Sequence, residues 1–599
     1  MQRKGLFYSI CLLAIAGLLA FSSVQQRRLD AIRTGEQLVD VAPLKDAPPI
    51  VVFSTVALGG FRGLIADYFW LRSQRMQEKG DYYEMYQLAN WITNLQPRFT
   101  GAISFLAWNM AYNISVTYPS YEDRWRWVQK GIELIRDRGL VNNPGDPELF
   151  YQLAWIYQHK LGQEADDANK FYRFKLVSAM VEVFGDYPPV GRDEKSIQAT
   201  KDWWKAWQEA PINPADVFPP ELPFETVLKQ ANIASPEALR DDFRANNGKL
   251  PETIVKDVLK DHIDLQRGLE KSLRKAWLAE TYKLDISYMM DLNKKYGDLD
   301  WRLPEAHAIY WSSKGLEKAR GNVNLFCNRC VFQSLNSTFK NGRITTIVAT
   351  RDIEGRVLPQ LLMAPNLGVV DVLAGLYENA QKYFGRDVIR AGRENFYKDA
   401  VVLLYSYGYQ KKAGEYFSKL KDYRKANYDM ADVKKEADRI KENNMPIEEF
   451  VLSGVIESMG NADTKVATYI INGYFQQAWM AYIFEDDNGA HGTTLVALAG
   501  TLYKNYIKGI GKTGERRGLP PFVKMKEHSL ADCYKGLPEG EYRDLLAVNA
   551  VGGKEEMNQL VARVAKEDEE EAERAKAEAA KRSTAEGAGG ISAPAPTPQ

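Results

Sequence analysis

The sequence predicts an all-α protein, an irregular solenoid of helical hairpins with an N-terminal membrane-anchor helix and a disordered C-terminal tail. Three observations carry this. Leu106-Ala107-Trp108 recurs as Leu153-Ala154-Trp155, and the proline ahead of the first copy, Pro97, recurs at the same offset as Pro144. Each phrase thus falls where a helix should begin after a proline-marked turn. The chain also carries 13 Trp, 32 Tyr and 24 Phe, the large rings that fill the space between packed hairpins. Third, helical patterning dominates, and a single segment, Arg343 to Leu358 with its run Ile344-Thr345-Thr346-Ile347-Val348, has strand character.

The elements follow in order. Arg3 and Lys4 precede a charge-free apolar run from Gly5 to Val24, near the minimum length for spanning a bilayer. We read residues 1–24 as an uncleaved signal anchor. A cleaved signal peptide ending near Ala20-Phe21-Ser22 is the alternative, although Arg27 and Arg28 follow closely. Residues 25–54 form a linker, and the apolar stretch Ile50 to Phe61 is too short to span. Helical repeats are expected over 55–182. The Pro-rich composition of 183–223 indicates a long connection, interrupted by a helix carrying Trp203, Trp204 and Trp207, and charged helices complete the region to 300. Pro236 and Pro251 suit helix starts there. A second helical region spans 301–552, beginning near Pro304. Residues 553–582 are rich in Ala, Glu, Lys and Arg and read as one solvated helix; 583–599 read as the disordered tail.

Composition excludes several classes. Apolar residues make up 45% of 599, enough for a large core. With 78 basic and 78 acidic residues, the whole-chain charge gives nucleic acid no electrostatic foothold. Four cysteines, one of them in the anchor run, cannot make a disulfide framework, so stability rests on packing.

Counted back from Pro97, Phe69 is a large residue, Ser73 a small one, Met76 a packing residue and Gly80 a turn. Counted from Pro144, Phe150, Leu153, Ala154 and Tyr157 repeat that order, with Ala168 and Tyr172 on a looser second helix. Tyr397, Leu404, Gly408, Ala413 and Phe417 give a further match. This pattern resembles the tetratricopeptide repeat, a helix-turn-helix unit of about 34 residues. Ala89, where that family has a ring, departs from it, and the wider spacing here implies insertions. The stretch from Ala57-Leu58-Gly59-Gly60-Phe61-Arg62-Gly63 through Asp123-Arg124-Trp125-Arg126-Trp127 is similar to a group of exported bacterial proteins with such regions. The resemblance implies an envelope location and a concave groove, with no reaction attached. Outward polar groups would line the groove: Asn109, Asn113 and Gln158, with Arg124 and Arg126 nearby, a set suited to clamping an extended peptide's backbone or carboxylate. Phe150, Leu153, Ala154, Trp155 and Tyr157 are read as buried architecture.

Few motifs carry chemistry. Cys327-x-x-Cys330 is the sharpest, and three readings stand: packing thiols, a disulfide, or a metal site completed by His528 and Cys533. Gly509-Ile510-Gly511-Lys512-Thr513-Gly514 lacks the first glycine of a phosphate loop, since Tyr506 occupies that place, and reads as a helix exit. Glu485-Asp486-Asp487-Asn488-Gly489 lacks the alternating carboxylates of a calcium loop. No catalytic residue and no cofactor is expected.

These readings converge on a scaffold that is not an enzyme. It would be held at the cytoplasmic membrane by residues 5–24 with its body periplasmic, binding envelope proteins of a secretion, pilus-like or uptake assembly. The alternative is a receptor for glycans or glycoproteins such as mucin-like polymers, with Trp203, Trp204 and Trp207 as the stacking surface. An enzyme with a novel site is the third reading.

Overall fold

The computed structural model describes residues 61–96, 99–163, 166–188, 194–351, 357–380, 386–407, 409–432, 434–447, 449–451, 453–454, 464–484, 489–510, 519–537 and 539–587, with isolated positions 17, 21, 24, 25, 28 and 32. Among the described residues the chain is all-α apart from one β-hairpin. It divides into two compact units, 1–379 and 380–599. Among the described residues no helix is long and apolar enough to cross a membrane. Apart from the isolated positions 17, 21 and 24, the expected anchor lies outside the described residues, as do the segment Ile50 to Gly60, the acidic turn at 485–488 and the tail from 588.

The first unit opens with three hairpins. Helix α1 (Phe61–Lys79) turns at Gly80, whose φ of 76° a side chain would resist, into α2 (Tyr82–Leu95), capped by Asp81. The second hairpin is α3 (Thr100–Trp108) and α4 (Tyr121–Glu133). Ser120 caps α4 by accepting from the Asp123 amide at 3.1 Å. The third is α5 (Pro147–Trp155) and α6 (Asn169–Phe184). Asp146 accepts from the amides of Glu148 and Leu149, while Pro147 occupies the first turn, where its missing N–H costs nothing.

The repeated phrase is a structural repeat. Leu106 and Leu153 occupy equivalent positions in α3 and α5, and each helix passes after its tryptophan into a six-residue π-helical segment, Asn109–Ile114 in one and Ile156–Leu161 in the other. A π turn is rare and usually single, so its recurrence at one register shows that the two helices are copies in geometry as well as in sequence. The phrase therefore closes the α-helical portion of its helix instead of opening it. Leu106, Ala107, Leu153 and Ala154 are fully buried. Ala107 is small because α4 crosses it at Gly131, where a Cβ would lie 2.7 Å from the Ala107 carbonyl oxygen.

After α6 the chain forms α7 (Glu194–Glu209), α8 (Phe224–Gln230), α9 (Pro236–Ala245), α10 (Ile263–Tyr282) and α11 (Ile286–Tyr296). Arg274 of α10 ties this region to the hairpins. Its guanidinium donates to the carbonyls of Glu182 and Val183 at the end of α6 and to that of Gly248. A buried cation at a helix C-terminus satisfies carbonyls that lack partners within the helix. Gly185 and Gly248 are glycines partly because a Cβ at either would meet that guanidinium.

Helix α12 (Pro304–Leu316) is buried along nearly its whole length and packs on α5 and α13 (Gly321–Asn341). The α12–α13 hairpin thus stacks directly on the third hairpin, although more than a hundred residues separate them. Glu305 pairs with Arg173, Trp311 stacks on Phe150 at 6.0 Å, and a Cβ on Gly315 would meet Cys327 Sγ at 2.9 Å. His307 lies against the Tyr157 ring at 5.0 Å with its Nε2 3.1 Å from the Trp301 carbonyl. The strand segment is a two-stranded antiparallel hairpin, β1 (Arg343–Arg351) with β2 (Val357–Ala364), so β2 adds a strand that the sequence reading did not recognise. Ile344, Leu361 and Met363 bury it against Val177 and Leu303. Helix α14 (Val370–Asn379) ends the unit.

The second unit contains α15 (Arg386–Ser406), α16 (Gln410–Asn427), α17 (Ala437–Asn444), α18 (Thr464–Phe484), α19 (Ala490–Ile510), α20 (Phe522–Gly536), α21 (Glu541–Val551) and α22 (Lys554–Gly587). Tyr397, Leu404, Ala413 and Phe417 are buried in the α15–α16 hairpin; Gly408 lies outside the described residues. Buried Arg424 binds Glu394 at 2.8 Å, and Arg439 closes the network on the same carboxylate at 2.8 Å. Helix α22 runs five residues past the expected boundary at 582.

Two outcomes follow from this packing. Gly131→Ala gains about 1 kcal/mol of helix propensity but forces α3 and α4 apart, so a net loss of about 1–3 kcal/mol and a lower melting temperature are expected in thermal scans. Burial holds the His307 imidazole down to about 4, below its ordinary 6.5. A depressed imidazole contributes stability that is complete above its unfolded value and lost as pH falls from 6.5 toward 4. Roughly 3 kcal/mol should disappear across that window. Denaturant midpoints measured through it should fall less steeply for His307→Gln; an equal slope would exclude His307 as the cause.

Candidate functional site

A shallow cleft of about 530 Å³ lies between α3 and α5 of the first unit. From α3 come Gly101, Ser104, Phe105 and Trp108; from α5 come Glu148, Tyr151, Gln152 and Trp155. Each set has helical i, i+3, i+4, i+7 spacing, so each is one face of its helix. The two sets are also the same positions of the repeat. Gly101 corresponds to Glu148, Ser104 to Tyr151, Phe105 to Gln152 and Trp108 to Trp155. The next pair, Tyr112 and His159, stands at the same separation of 47 and is in contact, the Tyr112 hydroxyl lying 3.3 Å from His159 Nδ1.

The cleft is edged by rings. Trp108 stacks on Tyr112 at 5.5 Å, Trp155 on His159 at 4.7 Å, and Tyr151 on Phe326 of α13 at 5.3 Å. Trp70 of α1 meets Phe105 at 5.1 Å. The aromatic surface thus runs across α1, α3, α5 and α13. Phe105 and Trp108 are each 39% exposed, high for rings that packing could have covered. Burial lowers the His159 imidazole, with the Lys160 ammonium adding to the effect, so this ring is neutral at pH 7. Lys160 itself is turned inward to Asp166 at 2.6 Å. At the cleft floor Ser104 is 8% exposed and its Oγ has no hydrogen-bond partner. Gln152 Nε2 donates to Glu148 Oε1 at 2.7 Å.

The polar residues expected to line a groove have other positions. Asn109 is buried: its Oδ1 accepts from Gln77 Nε2 at 3.2 Å and from Asn113 Nδ2 at 2.6 Å, which ties α3 to α1. Asn113 is exposed beside it. Gln158 is buried in the π segment. Arg124 is committed to the Tyr118 carbonyl at 2.7 Å and to Asp167, and Arg126 pairs with Asp123 at 2.7 Å. None of the five lines the cleft. Asn109 follows buried Leu106 by three residues and Gln158 follows buried Ala154 by four, so ordinary helical spacing already places both on the packed face. Trp155, expected inside, is half-buried on the cleft wall.

Trp203, Trp204 and Trp207 are 9%, 6% and 0% exposed. They pack with Phe184 and Tyr187, and Lys271 lies over Trp203 and Trp207. Buried indoles cannot stack on a polymer, so this cluster is core and not a glycan surface.

Cys327 and Cys330 are free thiols, one turn apart in α13 and both buried. Cys533 belongs to α20 in the second unit, where His528 contacts the Lys524 carbonyl at 2.8 Å and Asp568 at 3.0 Å. Among the described residues no group of three or more His, Cys, Asp or Glu is arranged to hold a metal ion. Burial pushes the thiols of Cys327 and Cys330 up to about 12 and that of Cys533 up to about 11. Since the thiolate is the reactive form, these are packing cysteines. Iodoacetamide at pH 7.5 should leave Cys327 and Cys330 unmodified in peptide maps of the native protein and modify both in denaturant; rapid native labelling would contradict this.

No known protein-family model matches the chain, and no curated protein is significantly similar to it.

Proposed function

We propose that this protein is a partner-binding scaffold of the bacterial envelope, tethered by residues 5–24, whose working surface is the aromatic cleft between α3 and α5. One observation carries the reading: four pairs of repeat-equivalent positions converge on one cleft and keep their rings partly exposed. Contiguous exposed aromatic surface with polar groups among it is what interaction sites share. The Leu-Ala of each phrase packs inward, while its Trp faces the cleft. Repetition on adjacent helices suits an extended segment of a partner protein, which would meet the same chemistry at successive steps. The resemblance to tetratricopeptide proteins, in which partners lie along first helices, supports the same assignment. Components of secretion, pilus-like or uptake assemblies are the partner class, and the cleft acts without cofactor or reaction.

A glycan or glycoprotein receptor is the second reading. It has lost Trp203, Trp204 and Trp207 but gains Trp108 and Trp155, whose exposed faces could stack on sugars. Photo-crosslinking amino acids placed at Phe105 and Gln152, with Arg126 as an off-cleft control, separate the two in native membranes. The scaffold reading expects one recurrent protein adduct from both cleft positions and none from the control. Equal adducts from all three, or none from the cleft, would exclude it.

A further inference from the structure

Resting on that cleft as a binding surface, we infer that its occupant is a basic segment, whose lysine or arginine side chain enters between Trp108 and Trp155 and meets Glu148. The argument is charge complementarity. Of the eight residues lining the cleft, Glu148 alone carries a charge. It makes no ion pair among the described residues, and its one side-chain hydrogen bond, from Gln152, occupies Oε1 and leaves Oε2 open. The carboxylate stands in the first turn of α5, where the helix dipole favours a negative group. Around it, Tyr151, Trp155, Trp108 and Phe105 present π faces and edges, and aromatic faces attract cations. An acidic occupant would meet an unpaired carboxylate, and a neutral one would leave it desolvated without a partner.

The test uses the full-length protein in detergent and four probes: blocked hexapeptides alternating Gly with Lys, Glu or Ser, and a soluble tetramer of N-acetylglucosamine. Calorimetry should show the Lys peptide binding about tenfold more tightly than the Ser peptide, the ratio expected of one partly desolvated cation–π and carboxylate contact. Glu148→Gln preserves shape and the Gln152 bond; it should bring the Lys peptide to the level of the Ser peptide. Trp108→Ala with Trp155→Ala, checked for native helicity by circular dichroism, should abolish binding of both. Equal affinity for Lys and Ser peptides, with binding still lost in the tryptophan variant, overturns the charge inference and leaves the cleft as a binding surface. Unchanged Lys-peptide binding in both variants overturns the inference and the cleft reading together. Binding of the sugar in place of the Lys peptide overturns the inference in favour of a receptor.

Discussion

The first unit depends on one constraint: helix α12 is covered on every side. A helix with a polar face could lie on a surface, but Pro304–Leu316 has almost no such face left, so several of its polar groups bond inside the protein, while Trp311 Nε1 and Ser313 Oγ are buried without a hydrogen-bond partner among the described residues. Glu305 finds Arg173 and Ser337, His307 finds the Trp301 carbonyl, and the Tyr310 hydroxyl accepts from the Asp285 amide. Each partner belongs to a different element, so meeting these needs fixes α6, α13 and the loops around α11 relative to α12. Close contacts at Gly315 then fix α5, and through α5 one wall of the cleft.

The cleft shows how one short phrase serves two purposes. Successive residues of a helix point about 100° apart, so Leu106 and Ala107 can pack against α4 while Trp108 faces outward. The same holds for Leu153, Ala154 and Trp155. Tyr112 and His159 follow Trp108 and Trp155 by four residues and so continue the same faces, where they meet, while Asn109 and Gln158 fall on the packed faces. Packing requirements alone would be met by many rings that could be buried. Rings left partly exposed in matching positions on two helices are the observation on which the proposed binding surface rests.

Charged residues here mostly serve architecture. Arg274 caps α6, Arg173 anchors Glu305, and Arg424 with Arg439 encloses Glu394. Breaking one member of such a buried pair would leave its partner desolvated and uncompensated, which is why these arginines are structural despite their chemistry. Against that background an unpaired Glu148 in a cleft is unusual for this protein.

The sequence by itself determined the local order. Periodicity and helix-start prolines such as Pro236 and Pro304 placed the helices, because these signals act within a few residues. The repeat was legible too, and with it the i, i+3, i+4, i+7 rows of 101 and 148, which sufficed in principle to locate the cleft. What the sequence did not contain was which ring is covered. Trp203 has Lys201, Asp202 and Lys205 as chain neighbours and Trp155 has Leu153, Ala154 and Ile156, yet Trp203 is enclosed by Phe184, Tyr187 and Lys271 while Trp155 is only half-buried. Burial is set by elements distant in the chain, as is the stacking of α12 on α5. Tertiary structure therefore decided which residues form the core and which form the site.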